Sequence, residues 1–521
     1  MFRQLHARPK ILFLFATVLF FSAILLLLFS ANMQKSLDHD EHQFVASGAL
    51  LAREGRLPYL NYAYFHMPNL TFLYAGLFAG SDHLLLAART FATVCAWLSL
   101  GLIFWLALGL FPRVHPLLQW LIAASGVLLL VVNPVFVYTS GKAWNHDLSV
   151  LFALLAFVLH SQGARTKNPK RWVFFSGLCV GLAFGTRLSF APVILPFLGM
   201  ILLFPEQARR QRLLVLPLTF GLGLLLALLP SLILFALAPK PFVFGNLDYA
   251  RYNTLYRQKM GFVEGDVSRI AMTFGGKLSY LARYVIAAPG NVLLILGFLF
   301  LAVSMNVARI RHKPPHWFET VFLWALIPFL LMGSLAPTPS FLQYFYAPVP
   351  FLVLGVLYGI ASFRDCPSKL KWSLVLLANV VFIAGAYGVK SYQAIDKLLS
   401  LDEWLPIQVH KAGNEIGAAV GDGQILTLAP IFPLEGRVRT YEEFATGSFA
   451  WRISPLVPEA DRKKVDLVSD ADLNDFLGAQ PPAAILTGYE RALEQPFTYY
   501  AQDNGYQRVD LTNGTTLWLR R

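Results

Sequence analysis

Long apolar runs alternate with short polar gaps along the first 390 residues, and the pattern then changes. Membrane spans are expected at 11–31, 84–111, 117–138, 147–162, 172–187, 188–204, 213–238, 289–308, 317–336, 345–363 and 372–389. The first, Ile11 to Ala31, would measure about 31 Å as a helix at ~1.5 Å per residue, which matches a bilayer's hydrocarbon core. A cleaved signal peptide would need a shorter apolar core and a small-x-small cleavage site, which Phe29 interrupts. The segment is therefore read as an anchor. The break at Arg187-Leu188-Ser189 is slight. A hairpin of two short spans is preferred there because the basic cluster at 209–212 must share a side with 165–171.

Three segments between or beyond the spans are long: 32–83, 239–288 and the region from about 390. The last has short apolar runs and more Asp and Glu. Ile425-Leu-Thr-Leu and Ala484-Ile-Leu-Thr read as strands, and 406–420 reads as a helix. Runs 506–511 and 515–519 flank Asn513-Gly514, a tight-hairpin signal because Asn-Gly accepts positive φ at both turn positions. The expected organisation is a helical polytopic membrane domain over 1–389, with about eleven transmembrane helices, and a small soluble extracytoplasmic α/β domain over 390–521.

Composition agrees with the pattern. The chain of 521 residues is 56% hydrophobic and 14% charged, with 43 Phe. That much apolar surface has no place to hide in a water-soluble protein. The net charge of +13 suggests nucleic acid until the charges are located. Basic residues cluster in the short gaps: Arg3, Arg8 and Lys10; Arg113; Arg165, Lys167, Lys170 and Arg171; Arg209, Arg210 and Arg212; Arg309, Arg311 and Lys313; Arg364, Lys369 and Lys371. With the N-terminus inside, all of them fall on one side, as the positive-inside rule requires. The opposite short loops hold only Lys142 and Arg187. No nucleic-acid partner is implied. Cys95 and Cys179 sit in apolar spans and Cys366 in a basic loop, so no disulfide framework is suggested.

Ionisable groups gather just outside the first span, in Ser36-Leu-Asp38-His-Asp40-Glu41-His42-Gln43. Asp38 with Glu41 three residues on fits a capping box for a helix over 39–53 that ends near Gly55. Such a cap would also hold Asp40 and Glu41 in a fixed pose. Downstream, Pro58-Tyr59, Tyr62, Tyr64 and His66-Met-Pro68 follow; the structural alternative for these aromatics is an interfacial belt. Asp147 opens the fourth span, where an N-cap is the structural alternative. Arg187 lies between two half-length spans, where it either snorkels to the interface or grips a phosphate with its planar fork. In the second long segment, Asp248, Tyr249, Arg251, Tyr252, Glu264 and Asp266 read first as a solvated face and second as an acceptor pocket, with Lys240, Arg251, Lys259 and Lys277 as further candidates to hold phosphate.

These residues together resemble the first outer loop of the glycosyltransferase-C superfamily, in the branch of bacterial protein O-mannosyltransferases and aminoarabinose transferases. Gly181-Leu-Ala-Phe-Gly-Thr186-Arg187, Gln343-Tyr344-Phe-Tyr-Ala-Pro348-Val-Pro350 and Leu434-Glu435-Gly-Arg437 support the resemblance. One position departs from it: where the family often has Lys before the loop proline, this chain has His66-Met67-Pro68. The resemblance implies inverting transfer of a sugar from a polyprenyl-phosphate carrier to a glycan, lipid or protein acceptor at the outer face of the plasma (inner) membrane of a bacterium. It implies Asp40 as general base with Glu41 beside it, Asp147 as the second acid, and Arg187, with Lys142 and His66, against the donor phosphate. No cofactor is required, although two outer carboxylates are compatible with Mg or Mn. Transport of lipid-linked glycans, or non-catalytic glycan binding, are the rival functions. Transport would place polar groups at mid-membrane with repeat symmetry, and neither is visible.

Overall fold

The computed structural model describes residues 7–205, 207–260, 272–309 and 316–520. Arg3, Glu264, Asp266, Arg311 and Lys313 lie outside the described residues. The helices in chain order are α1 (Ala7–Met33), α2 (His39–Glu54), α3 (Asn69–Phe78), α4 (Leu84–Leu110), α5 (Pro116–Val131), α6 (Pro134–Thr139), α7 (His146–Ala164), α8 (Lys170–Thr186), α9 (Ile194–Ile201), α10 (Leu216–Leu237), α11 (Pro239–Val243), α12 (Tyr249–Met260), α13 (Phe274–Tyr280), α14 (Pro289–Arg309), α15 (Trp317–Leu335), α16 (Val349–Ala361) and α17 (Pro367–Gly388).

This is a multi-pass membrane protein. Among the described residues, seven helices are long and apolar enough to cross a bilayer, or eight if the bent pair Phe274–Ile286 and Pro289–Val303 makes one span. Every one of the expected spans contains helix, but the count of eleven is not reached by length. The segment 117–138 contracts to the 16 residues of α5, and 172–187 forms the 17-residue α8. At ~1.5 Å per residue these measure roughly 24–26 Å, short of a full hydrocarbon core. The segment 188–204 begins as a 3-10 turn, Leu188–Val193, before α9.

The hairpin at Arg187 is present. Arg187 adopts an extended conformation at φ −148° that ends α8, beside Asn145 at the start of α7. Gln207 then donates to the carbonyls of Thr166 and Lys167 at the far end of α7. Close approach of α8 to α10 explains the small residues between them. A Cβ on Gly177 would sit 2.1 Å from the Phe220 carbonyl, and one on Gly223 would sit 2.1 Å from that of Phe174.

The basic gaps meet at one end of the bundle. Arg165 pairs with Glu319 at 2.5 Å, Arg364 reaches the Leu110 carbonyl, and Arg113 lies 3.6 Å from Asp365. The opposite end carries the outer segments.

The C-terminal region adds α18 (Leu405–Val420), α19 (Ile431–Glu435) and α20 (Ser448–Ile453), with strands β1 (Gln424–Thr427), β2 (Arg439–Thr440), β3 (Ala484–Thr487), β4 (Gln507–Asp510) and β5 (Thr516–Leu519). The sheet order is β2-β1-β3-β5-β4. β1 is parallel to both neighbours, while β3–β5 and β4–β5 are antiparallel. The expected hairpin forms, with a different turn. Asp510 faces Thr516 across β4–β5, Gly514 alone in the loop takes a positive φ of 80°, and the Asn513 side chain accepts from the Thr515 N–H. Five residues, 511–515, lie between Asp510 and Thr516, so the loop is longer than a two-residue turn.

The sheet region shares an apolar core with the first outer segment: Phe44, Leu50, Tyr62 and Leu84 pack with Ile416, Ile425 and Leu434. Tyr59, Tyr62 and Tyr64 are each no more than 1% exposed, so they form core and not an interfacial belt. Polar ties cross the same seam. The Ile431 N–H donates to His42 Nδ1 at 3.3 Å, and buried Glu435 accepts from the Leu85 N–H at 2.8 Å.

Candidate active site

At the end of the bundle away from the basic gaps lies a cavity of about 500 Å³. Its walls come from distant stretches of chain: Asp38–Asp40 and His66, then Asn145 and His146, then Arg187, then Tyr249 and Arg257 of α12, then Tyr344, and finally Arg452 of α20 with Glu490.

The acidic wall is set by how α2 begins. Asp38 is the N-cap, its Oδ1 accepting from the Asp40 N–H at 3.0 Å. Its own N–H donates to Glu41 Oε2 at 3.1 Å. This capping box uses up Asp38 and Glu41 and leaves Asp40, in the first turn, directed into the cavity. Gly55 closes the helix with φ 67°.

Glu41 does not line the cavity. Its carboxylate takes a two-pronged pair from Arg89, Nε to Oε1 at 2.8 Å and Nη2 to Oε2 at 2.6 Å, and accepts from the Ala143 N–H at 2.8 Å. Both side chains are fully buried. Arg89 spends its remaining N–H groups on the carbonyls of Asn32, Lys35 and Ser36. One guanidinium thus ties the end of α1, the turn behind it and α2 to α4.

Asp147 also lies behind the wall. It accepts from the Gly141 N–H at 2.8 Å and from the Tyr346 hydroxyl at 3.1 Å, while its neighbours Asn145 and His146 reach the cavity. The structure therefore brings Asp40, Arg187 and His66 together and holds Glu41 and Asp147 beneath them. The physical reason is the same for both buried acids: each sits where unpaired backbone N–H groups need an acceptor.

Arg187 is oriented by three contacts: Nη1 to Asn145 Oδ1 at 2.7 Å, Nε to Ser189 Oγ at 2.9 Å, and Nη1 to His146 Nε2 at 3.1 Å. Its guanidinium lies 5.1 Å over the Tyr344 ring. Among the described residues nothing accepts from Nη2, which stays available to an anion. His66 reaches the cavity, but burial, with Arg187 nearby, pushes it down to about 3. A neutral imidazole there can still donate one N–H to a phosphate. Lys142 is spent elsewhere, 3.2 Å from Asp38 Oδ2 and 4.4 Å over the Trp144 ring.

The two cavity aspartates are driven apart. Burial raises the Asp40 carboxyl above the usual carboxylate range, against the pull of His39. Burial also acts to raise Asp38, but His39, Lys142 and the Asp40 N–H outweigh it and hold it low. Such divergence separates a proton acceptor from a permanently ionised neighbour. Asp38, His39 and Asp40 also each present one donor atom within 4.8 Å of the others, a set able to hold a divalent cation. One imidazole with two carboxylates suits Mn or Zn better than Mg, which prefers an all-oxygen shell.

Arg257 and Arg452 are cationic wall residues that sequence reasoning missed. Arg452 donates to the Tyr249 hydroxyl at 2.7 Å. The second outer segment shows why: α12 turns Tyr249, Asn253 and Arg257 inward at a spacing of four, a signal readable once the helix is assumed. The candidates Lys240 and Arg251 face a separate cavity of about 530 Å³. Lys277 donates to the carbonyls of Leu335 and Ala336, and Lys259 is exposed.

The span arrangement, the helices of the long segments and the sheet together give the chain the fold of solved structures of ArnT. Residues 65–234 match the family model described as dolichyl-phosphate-mannose-protein mannosyltransferase. The crystal structure of ArnT from Cupriavidus metallidurans in the apo state is similar at a TM-score of 0.58 and 13% identity, covering 98% of each chain. The same protein bound to undecaprenyl phosphate is similar at 0.54 and 14% identity, covering 96% of this chain and 97% of that one. No curated protein sequence matches the chain.

Proposed function

We propose that this chain moves a hexosyl or pentosyl unit, with inversion, from a polyprenyl-phosphate carrier to an acceptor hydroxyl at the outer face of the inner membrane. The N-terminus is then cytoplasmic, 1–389 carries the catalytic machinery, and 390–521 stands outside the membrane. The observation that carries this reading is the meeting of Asp40 and Arg187 in one cavity of about 500 Å³.

An acceptor hydroxyl becomes a competent nucleophile when a carboxylate within hydrogen-bond reach takes its proton. Asp40 is the cavity acid whose carboxyl is raised toward the working pH. The leaving group is a phosphate, which needs positive charge and not a proton. Arg187, with Arg257 and Arg452 around the same space, supplies it. Glu41 and Asp147 act by holding the walls, Glu41 through Arg89 and Asp147 through Gly141 and Tyr346. A divalent cation on Asp38, His39 and Asp40 would add a second charge against the phosphate. Undecaprenyl phosphate, bound by the similarly folded ArnT, supports the carrier class.

The test is sugar transfer by the purified full chain in lipid nanodiscs, with a panel of polyprenyl-phosphate sugars. Asp40→Asn should lower transfer by about 10²–10⁴-fold while donor binding persists. Undiminished transfer by that variant would remove the reading.

A further inference from the structure

A second polar cavity, of about 560 Å³, lies at the end of the bundle opposite the candidate active site. Lys167, Asn168, Lys170, Arg171, Gln207 and Gln211 line it. Its place follows from the turn between α7 and α8 and from the return of the chain after α9. Gln207 is 8% exposed and pins the two turns together through the Thr166 and Lys167 carbonyls. That tie fixes the basic turn beside the returning chain.

Three features give the cavity a sign. Lys167, Lys170 and Arg171 are exposed, and among the described residues no carboxylate pairs with any of them. At the same end Arg165 pairs with Glu319 and Arg113 with Asp365, which leaves the three cations of the cavity without an acid of their own among the described residues, as it does Arg209, Arg210 and Arg212. The first turn of α8, 17 residues long, starts at Lys170 with no side-chain cap, so its N–H groups and dipole add to the positive field. The chain on either side of Gln207 and Gln211 is greasy: Leu202 and Leu203 before them and Leu213 and Leu214 after them are each 41–57% exposed. Exposed leucines flanking a cationic cavity place it at the level where lipid headgroups meet acyl chains.

We infer that this cavity binds a phosphate-bearing anion, and that the headgroup of an anionic membrane phospholipid is its source. The site stands apart from the sugar-transfer reading, since it shares no residue with the other cavity and lies a full helix length from it. It would anchor the loop joining α7 to α8, the two helices whose other ends carry Asn145, His146 and Arg187.

The experiment uses the full chain in phosphatidylcholine nanodiscs, with melting temperature as readout and two probes: phosphatidylglycerol mixed into the disc, and inorganic phosphate in the buffer. A Lys167→Gln, Lys170→Gln, Arg171→Gln triple variant is compared with a Lys167→Arg, Lys170→Arg pair that keeps the charge. Phosphatidylglycerol should stabilise the wild type and the charge-keeping pair. In the triple variant its apparent affinity should fall by about fivefold per charge removed. A stabilisation by inorganic phosphate that matches the lipid's would reassign the ligand to a water-borne phosphate and overturn the lipid source. Equal responses of the wild type and the triple variant to both probes would overturn the site itself.

Discussion

Charge is used in two ways in this molecule, and the two ends of the bundle show them side by side. At the basic end, cations sit on short gaps and some meet acids at the exposed surface, as Arg113 does with Asp365 at 3.6 Å, where the side chains are 83% and 57% exposed. At the cavity end a buried charge can have every partner specified, as in the Arg89–Glu41 clamp, where both are 0% exposed. Exposed pairs of this kind are worth ~0–1 kcal/mol. A buried pair contributes through the penalty of breaking it, because the remaining charge has no water to turn to. Charge at one end sets which way the chain lies, and charge at the other sets where single atoms go.

The comparison predicts an ordered series. Asp40→Asn removes the cavity's raised carboxylate and should lower kcat by about 10²–10⁴-fold, the range of general-base loss. Steady-state transfer assays with unchanged melting temperature would establish it. The same carboxylate must be ionised to work, so the acidic limb of kcat/KM should lie above the ordinary Asp value of about 3.9.

Next comes Arg89→Leu, which strands Glu41 and should cost about 3–5 kcal/mol of stability. Denaturant titration in mixed micelles measures it. Should the loss stay below ~1 kcal/mol, the clamp would behave like the exposed pairs and the contrast between the ends would fail.

Arg187→Lys keeps the charge and loses the fork. A charged hydrogen bond is worth ~1.5–3 kcal/mol, so a fall of roughly 10–100-fold in kcat/KM is expected.

His42 gives a pH signature of smaller effect. Burial holds it down to about 3 in the fold, against about 6.5 unfolded. The stability it contributes is present above pH ~6.5 and is lost as pH falls toward 3. Thermal melts at neutral and mildly acidic pH, with His42→Asn as control, should show the variant losing less on acidification. Last, Arg113→Ala should move stability by less than ~1 kcal/mol.

Much of the architecture was legible because it follows from solvent. The apolar runs and the capping box of Asp38 with Glu41 are local patterns: the box forms where it was expected and every run contains helix, although only seven or eight helices among the described residues are long enough to span. The hairpin at Arg187 was readable from charge alone, although the helices themselves are slight. The cavity was readable only in part. Asp40 and Arg187 could be singled out because a carboxylate or guanidinium beside a membrane span has few bland explanations. Glu41 and Asp147 carry the same local signal, yet the fold turns them toward backbone N–H groups that no sequence window reveals. Arg452 was invisible for the opposite reason. It comes from a short helix in the C-terminal region, more than 400 residues from Asp40, and only the packing of Phe449, Ala450 and Ile453 against Ala63, Phe65 and Phe244 brings it close.

That shared core bears on how the chain can be cut and recombined. A graft that exchanged residues 390–521 for those of another protein would have to carry matching partners for Phe44, Leu50 and Leu84, or leave a greasy seam open to water. Arg452 and Glu490 would leave with the graft, so the pocket would change its lining along with its roof. Chimeras joined at residue 390 should therefore recover only when α2 and the first turns of α4 travel with the C-terminal part.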